Sequence, residues 1–201
     1  MEHNTIWYTT TDESPILLTP DAFDAEVVYH QHQNGVGAIH LNGTVTTIKP
    51  WAFYYCHNLY SISLPPTITE IGNSAFMRCH SLTKISIPEG VRTIDRECFC
   101  DCFNLKELQL PDSITKIEPF AFKGCDSLIE VALPKSVEKI GYCAFEDCLF
   151  LTKLTLPTTI AAIEPLAFSG CQGLKRVTLG PTTEIGEDAF ESKCQITIAA
   201  E

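Results

Sequence analysis

Apolar and polar positions follow one repeating phrase along most of this chain, shown best by Leu82 to Asn104. It opens Leu82-x-x-Ile85-x-Ile87-Pro88, continues Val91-x-x-Ile94, and closes Cys98-Phe99-x-x-Cys102. Apolar side chains at the fourth and sixth positions, with a polar one between, predict a strand with one buried face. Pro88 ends that strand because proline has no N–H to donate to a ladder. Pro65, Pro111, Pro134 and Pro157 do the same elsewhere, and Asn42 and Gly180 replace proline in the outermost copies. The middle segment, carrying Ile48, Ile71, Ile94, Ile117, Ile140, Ile163 and Ile185, predicts a short extended return. Ala-Phe-x-x-Cys puts alanine and cysteine four apart on one face of a helical turn, with phenylalanine beside them. The spacing therefore predicts a single α or 3₁₀ turn in each unit.

The phrase recurs every 23 residues, as Cys56, Cys79, Cys102, Cys125, Cys148, Cys171 and Cys194 show. A fixed period of this length marks stacked units that bury a continuous core only together. The units run Val36–Asn58, Leu59–Ser81, Leu82–Asn104, Leu105–Ser127, Leu128–Phe150 and Leu151–Gly173, with an irregular seventh from Leu174. At about 4.8 Å per strand, seven units predict a parallel sheet about 30–35 Å long, backed by a phenylalanine stack and a cysteine stack. Residues 1–35 lack the phrase and hold Trp7 and half of the histidines. Strands are expected at Ile6–Thr10 and Glu26–Gln31, with a short helical turn at Pro20–Phe23. Residues 1–35 are read as an N-terminal capping region and 36–201 as the solenoid, ending in a strand at 195–199.

The grammar Leu-x-x-Ile-x-Ile-Pro-x-x-Val-x-x-Ile-(Gly)-x-x-Ala-Phe-x-x-Cys resembles the BspA-type leucine-rich repeat of bacterial surface proteins, also seen in some parasitic protists. Leu59–Cys79, with Ile71-Gly72 and Ala75-Phe76, and Leu128–Cys148, with Ile140-Gly141 and Ala144-Phe145, carry it most clearly. The resemblance implies an α/β leucine-rich-repeat solenoid with a parallel sheet on its concave face, short return strands and short helical turns. It also implies a non-enzymatic binding role, typically adhesion to host proteins or other cells, with no catalytic residue to carry over. A structural spacer or assembly unit within a larger surface complex is the alternative.

Charge narrows the partners. The net charge is −11, from 14 basic and 25 acidic residues, with no block of lysine or arginine. Nucleic-acid binding needs a basic footprint that displaces phosphate counterions, and none is present. No apolar run is long enough to span a bilayer. Met1 to Tyr8 lacks the basic and apolar regions of a signal peptide. The resemblance implies a cell-surface or secreted protein; the residues themselves leave an intracellular protein and a removed leader both open.

On each strand the third and fifth positions face away from the core, and the second is accessible. These positions include Tyr60, Lys84, Lys106, Glu107, Glu130, Lys153, Lys175 and Arg176, five basic residues against two acidic. The expectation is a mildly cationic sheet face that binds a protein or glycan partner with acidic groups. The plainer reading makes Lys84/Glu107 and Glu130/Lys153 cross-strand pairs.

The ladder cysteines read as buried free thiols acting as small apolar groups. Cys98-x-Cys100-x-Cys102 splays its sulfurs too widely for a tetrahedral metal site, and Cys100 and Cys143 are expected to face solvent. His30 and His32 share a strand face, a possible metal pair, but with no third ligand to place beside them they read as surface histidines and no metal is expected. His57 and His80, at equivalent positions, are expected to stack in exposed turns. No phosphate loop, nucleophile elbow or paired carboxylates occur, and no cofactor is expected. Ile196-Thr197-Ile198 reads as an unpaired edge strand, which would allow weak end-to-end homodimerisation.

Overall fold

A computed structural model describes residues 4–199. Three ladders of hydrogen bonds run along the repeat axis. On the first wall lie β5 (Leu59–Ser63), β7 (Lys84–Ser86), β9 (Glu107–Gln109), β11 (Glu130–Ala132), β13 (Lys153–Thr155), β15 (Arg176–Leu179) and β17 (Gln195–Ile198). Adjacent strands pair in parallel with a register that sets equivalent residues side by side, as in Lys84↔Glu107 and Glu130↔Lys153. The ladder is interrupted between β9 and β11 and between β13 and β15. The second wall holds two-residue return strands: β4 (Thr47–Ile48), β6 (Glu70–Ile71), β8 (Thr93–Ile94), β10 (Lys116–Ile117), β12 (Lys139–Ile140), β14 (Ala162–Ile163) and β16 (Glu184–Ile185). Five of these, β8 to β16, form one parallel sheet.

The third wall corrects the sequence expectation. The described residues contain no helix, so this is an all-β solenoid with turns rather than an α/β one. In the third unit, the N–H groups of Cys98, Cys100 and Cys102 close tight turns onto the carbonyls of Asp95, Glu97 and Phe99. The intervening N–H groups of Glu97, Phe99 and Asp101 instead donate to Pro119, Ala121 and Lys123 of the next unit. A helix needs consecutive amides to bond within the segment; here every second one is exported. The geometry depends on two left-handed residues per unit. Trp51, Ser74, Glu97, Phe120, Cys143 and Leu166 hold the first position, with φ between 52° and 60°. Tyr55, Arg78, Asp101, Gly124, Asp147 and Gly170 hold the second. Most of these are not glycine, at a cost of about 1–2 kcal/mol each, offset by packing and the inter-unit ladder. Pro20–Phe23 likewise forms a turn, not a helix.

Inside the three walls, Leu82, Ile85, Ile87, Val91, Ile94, Phe99 and Cys102 are all buried, as are their equivalents in most neighbouring units. Phe53, Phe76, Phe99, Phe122, Phe145, Phe168 and Phe190 stack face to face, with centroid spacings of 4.8 to 5.4 Å. Each ladder thiol from Cys79 to Cys171 donates to a phenylalanine carbonyl 26 residues earlier, at 3.1–3.3 Å. A small apolar group with one weak donor is what that position accommodates.

The first units depart from a uniform parallel stack. β1 (Thr5–Thr10) lies antiparallel between β3 (Val36–Asn42) and β5, so the first unit's strand does not touch the second's. β2 (Glu26–Gln33) pairs antiparallel with the far side of β3 and forms the sheet edge. Phe23 bridges antiparallel to Ile48 and sets its ring edge-on against Phe53, 5.8 Å away. The Asp24 carboxylate accepts the N–H groups of Thr46 and Thr47, which fixes this segment along β4. Gly37 is required beneath β1, because a Cβ there would overlap the Tyr8 ring.

Candidate functional site

The outward positions of the repeat strands form a single exposed face. Tyr60, Lys84, Lys106, Glu107, Glu130, Lys153, Lys175 and Arg176 all lie on it and are exposed. Their charges are not equivalent. Lys84 Nζ is 2.7 Å from Glu107 Oε2, and Lys153 Nζ is 3.3 Å from Glu130 Oε2, each pair joining adjacent strands. Exposed pairs of this kind contribute about 0–1 kcal/mol, but they cancel both acidic groups of the face. Lys106, Lys175 and Arg176 form no ion pair among the described residues. Lys175 Nζ donates to the carbonyl of Gln172. Three cations thus remain, two of them at the C-terminal end. Ile129, at the same position as Lys106 and Lys175 in its unit, adds an exposed apolar group.

The cysteine expectations change in part. Cys100 and Cys143 are buried, at 7% and 2% exposure, rather than facing solvent. Cys143 is itself one of the left-handed residues, and Cys100 lies between two of them, Glu97 and Asp101. Burial pushes Cys56 and Cys100 up to about 12 and Cys143 up to about 11. It raises Cys79, Cys98, Cys125 and Cys148 well above the usual thiol range. Thiolate is the reactive form, so these groups are chemically quiet near neutral pH. No group of three or more His, Cys, Asp or Glu side chains among the described residues is arranged to hold a metal ion.

His30 and His32 share a face, but both are engaged with β1. His30 Nε2 lies 2.7 Å from the Tyr8 hydroxyl and His32 Nε2 3.0 Å from Thr10 Oγ1. Burial holds His30 below the ordinary imidazole value. His57 and His80 flank Tyr55, each ring 5.7 Å from it, and His80 stacks on Phe103 at 4.9 Å.

Sequence reasoning missed a second cluster on the same face, where β1, β3 and β2 adjoin. The registers place Thr5, His40 and Tyr29 in one row, Trp7, Ala38 and Gln31 in the next, and Thr9, Val36 and Gln33 in a third. Trp7 and Tyr29 are 47% and 57% exposed, far from the usual burial of such rings. The alternation in Trp7-Tyr8-Thr9 and Tyr29-His30-Gln31 was the available signal. It needed the pairing of β1 with β3 to become a surface.

A sequence profile described as the BspA type leucine rich repeat region matches residues 29–148 and 92–200, in six copies. The chain belongs to this family. No functionally curated protein matches it by sequence. Among solved structures it is similar to a leucine-rich repeat protein from Bacteroides ovatus, at 32% identity and a TM-score of 0.73, over 87% of this chain and 44% of that one. It is similar to a leucine rich cell surface protein from Faecalibacterium prausnitzii, at 31% identity and 0.72, over 91% and 47%. The leucine-rich repeat protein of T. pallidum matches at 35% identity and 0.66, over 71% and 67%. The chain thus spans about half the length of the first and second of these. No helix among the described residues is long and apolar enough to cross a membrane.

Proposed function

We propose that this chain is a non-enzymatic binding module, engaged in protein–protein contact or adhesion at a cell surface, that presents the outward face of its repeat strands to a partner with acidic groups. The observation that supports this most is charge sorting on that face. Both carboxylates are matched by Lys84 and Lys153, and Lys106, Lys175 and Arg176 stay available on a molecule of net charge −11. Complementary charge favours encounter and register more than raw affinity. The surface placement is carried over from relatives such as the F. prausnitzii cell surface protein. Residues 1–35 serve as the cap of the array, since terminal units must shield a solenoid core.

The test is a charge-reversed Lys106→Glu/Lys175→Glu/Arg176→Glu variant in pull-downs from cell or host extract. The expected result is loss of the partners retained by the wild type, with a stronger loss at low salt. Identical recovery by both proteins would remove the face from consideration. A second reading, an assembly unit with no ligand of its own, draws support from β17, whose four residues are all exposed. Pairing of β17 between two copies would then give a weak end-to-end dimer.

A further inference from the structure

We propose that the aromatic cluster on β1, β2 and β3 is a binding site for a neutral saccharide, separate from the cationic part of the face. A cavity of about 410 Å³ opens there, lined chiefly by Trp7, Tyr29, Gln31, Gln33, Val36 and Ala38. That size falls in the range of small-ligand sites. No Asp, Glu, Lys or Arg lines it, although the chain as a whole carries 39 such residues, 14 basic and 25 acidic. The one imidazole at its walls, His32, is engaged with Thr10, so a charged ligand would find no carboxylate, ammonium or guanidinium to pair with.

The rings are held in place rather than loosely exposed. His40 sits between them, with Trp7 edge-on at 6.4 Å and Tyr29 stacked at 5.9 Å. His40 is itself fixed from both ring nitrogens. Nδ1 is 3.2 Å from Thr5 Oγ1, and Nε2 is 3.4 Å from Gln31 Nε2. Since an amide nitrogen can only donate, the contact with Gln31 makes Nε2 the acceptor and places the imidazole proton on Nδ1. The Gln31 amide is thereby oriented, with its nitrogen toward His40. Such pre-ordering reduces the entropy cost of binding.

This constellation matches a pyranose ring better than a peptide. Over the face itself the backbone is already paired in the β1–β3 and β3–β2 ladders, and main-chain groups stay open only along the outer edge of β2. Recognition must come from side chains. Two flat aromatic surfaces suit the apolar C–H face of a sugar. The carboxamides of Gln31 and Gln33 each offer donors and an acceptor to a rim of hydroxyls, which are themselves both donor and acceptor.

The test uses the full chain carrying Trp51→Ala, which leaves Trp7 as the sole tryptophan. Its fluorescence is followed during titration with maltotetraose, cellotetraose and chitotetraose to about 10 mM, with a proline-rich decapeptide as comparison. The expected result is a saturable shift with at least one of the sugars. Calorimetry should show binding of that sugar weakened about tenfold or more by Trp7→Ala and about threefold by Gln31→Ala. Unchanged melting of Gln31→Ala keeps the test valid if Trp7→Ala fails to fold. The assignment falls if none of the three sugars binds, if the peptide alone binds, or if both variants retain full affinity.

Discussion

The two ends of the solenoid solve the same problem unequally. At the N-terminal end, β1 is inserted into the strand wall, Ala22–Asp24 lies along the first return strand, and Phe23 closes the phenylalanine stack. At the C-terminal end, β17 is exposed throughout, and Ile185, Ile196 and Ile198 stay in contact with solvent. Phe190 ends its stack half-buried, with one ring neighbour, Phe168. A stack of identical units therefore does not terminate itself; a different sequence has to be added, and here it is present on one side of the described chain.

That contrast can be broken at several points. The largest effect is expected between the middle and the open end of the ring stack. Phe122→Ala should cost about 3–5 kcal/mol, because Phe122 is fully buried between Phe99 and Phe145. Phe190→Ala should cost only about 1–2 kcal/mol by the smaller area it buries. Equal midpoints for the two variants in urea melts would mean that the open end is packed as well as the centre.

Next comes the N-terminal closure. Gly37→Ala forces a methyl group into the Tyr8 ring and should lose about 1–3 kcal/mol through overpacking. Ile198→Ala, on the exposed strand, should change stability by about 0.5 kcal/mol or less. Hydrogen exchange should show faster exchange across β1 and β3 in the glycine variant, with the last units unaffected.

A smaller effect should come with pH. His30 is held below the ordinary imidazole value by burial and by nearby His32. The unfolded chain therefore takes up this proton first as pH falls through about 6.5. The contribution of neutral His30 is complete above that pH and is lost on acidification toward its folded value. Protection of β1 and β2 amides should drop as pH falls below about 6.5, and His30→Gln should flatten the dependence. His80 shifts in the same direction, so the His30 variant is needed to assign the effect. The smallest expectation concerns β17: light scattering at high concentration should reveal weak dimers, and Ile198→Lys should remove them. A strictly monomeric mass would leave the exposed strand without that role.

How much of this was legible in the sequence depends on what each position must be. Leu82, Ile85, Ile94 and Phe99 must be apolar and of set size, so the core and the repeat length could be read directly. The left-handed sites could not. Trp51, Ser74, Glu97, Phe120, Cys143 and Leu166 share a backbone conformation but no side-chain property, so the turn read as helical when it is not. The side chains there do not even share an environment, since Trp51 is exposed while Ser74 and Cys143 are buried. On the face, the pairs Lys84/Glu107 and Glu130/Lys153 were foreseeable from the 23-residue period. Trp7, Tyr29 and His40 were not, because their adjacency comes from an antiparallel insertion that no period announces.

The exported amides of the third wall bear on how such a chain changes length over generations. Trp51, Phe53 and Tyr55 each donate to the residue 22 positions ahead, and the same offset joins Glu97 to Pro119 and Phe120 to Tyr142. Excising one 23-residue unit would leave every severed donor facing an equivalent acceptor, so duplication and loss preserve the ladder when they respect that step. A cut of any other size must be healed locally. The last unit records such a repair: Leu166 and Phe168 reach only 21 positions ahead, and the Gly170 N–H takes the carboxylate of Glu191 in place of a backbone carbonyl. One glutamate side chain there supplies the acceptor that the shortened step does not provide from the backbone.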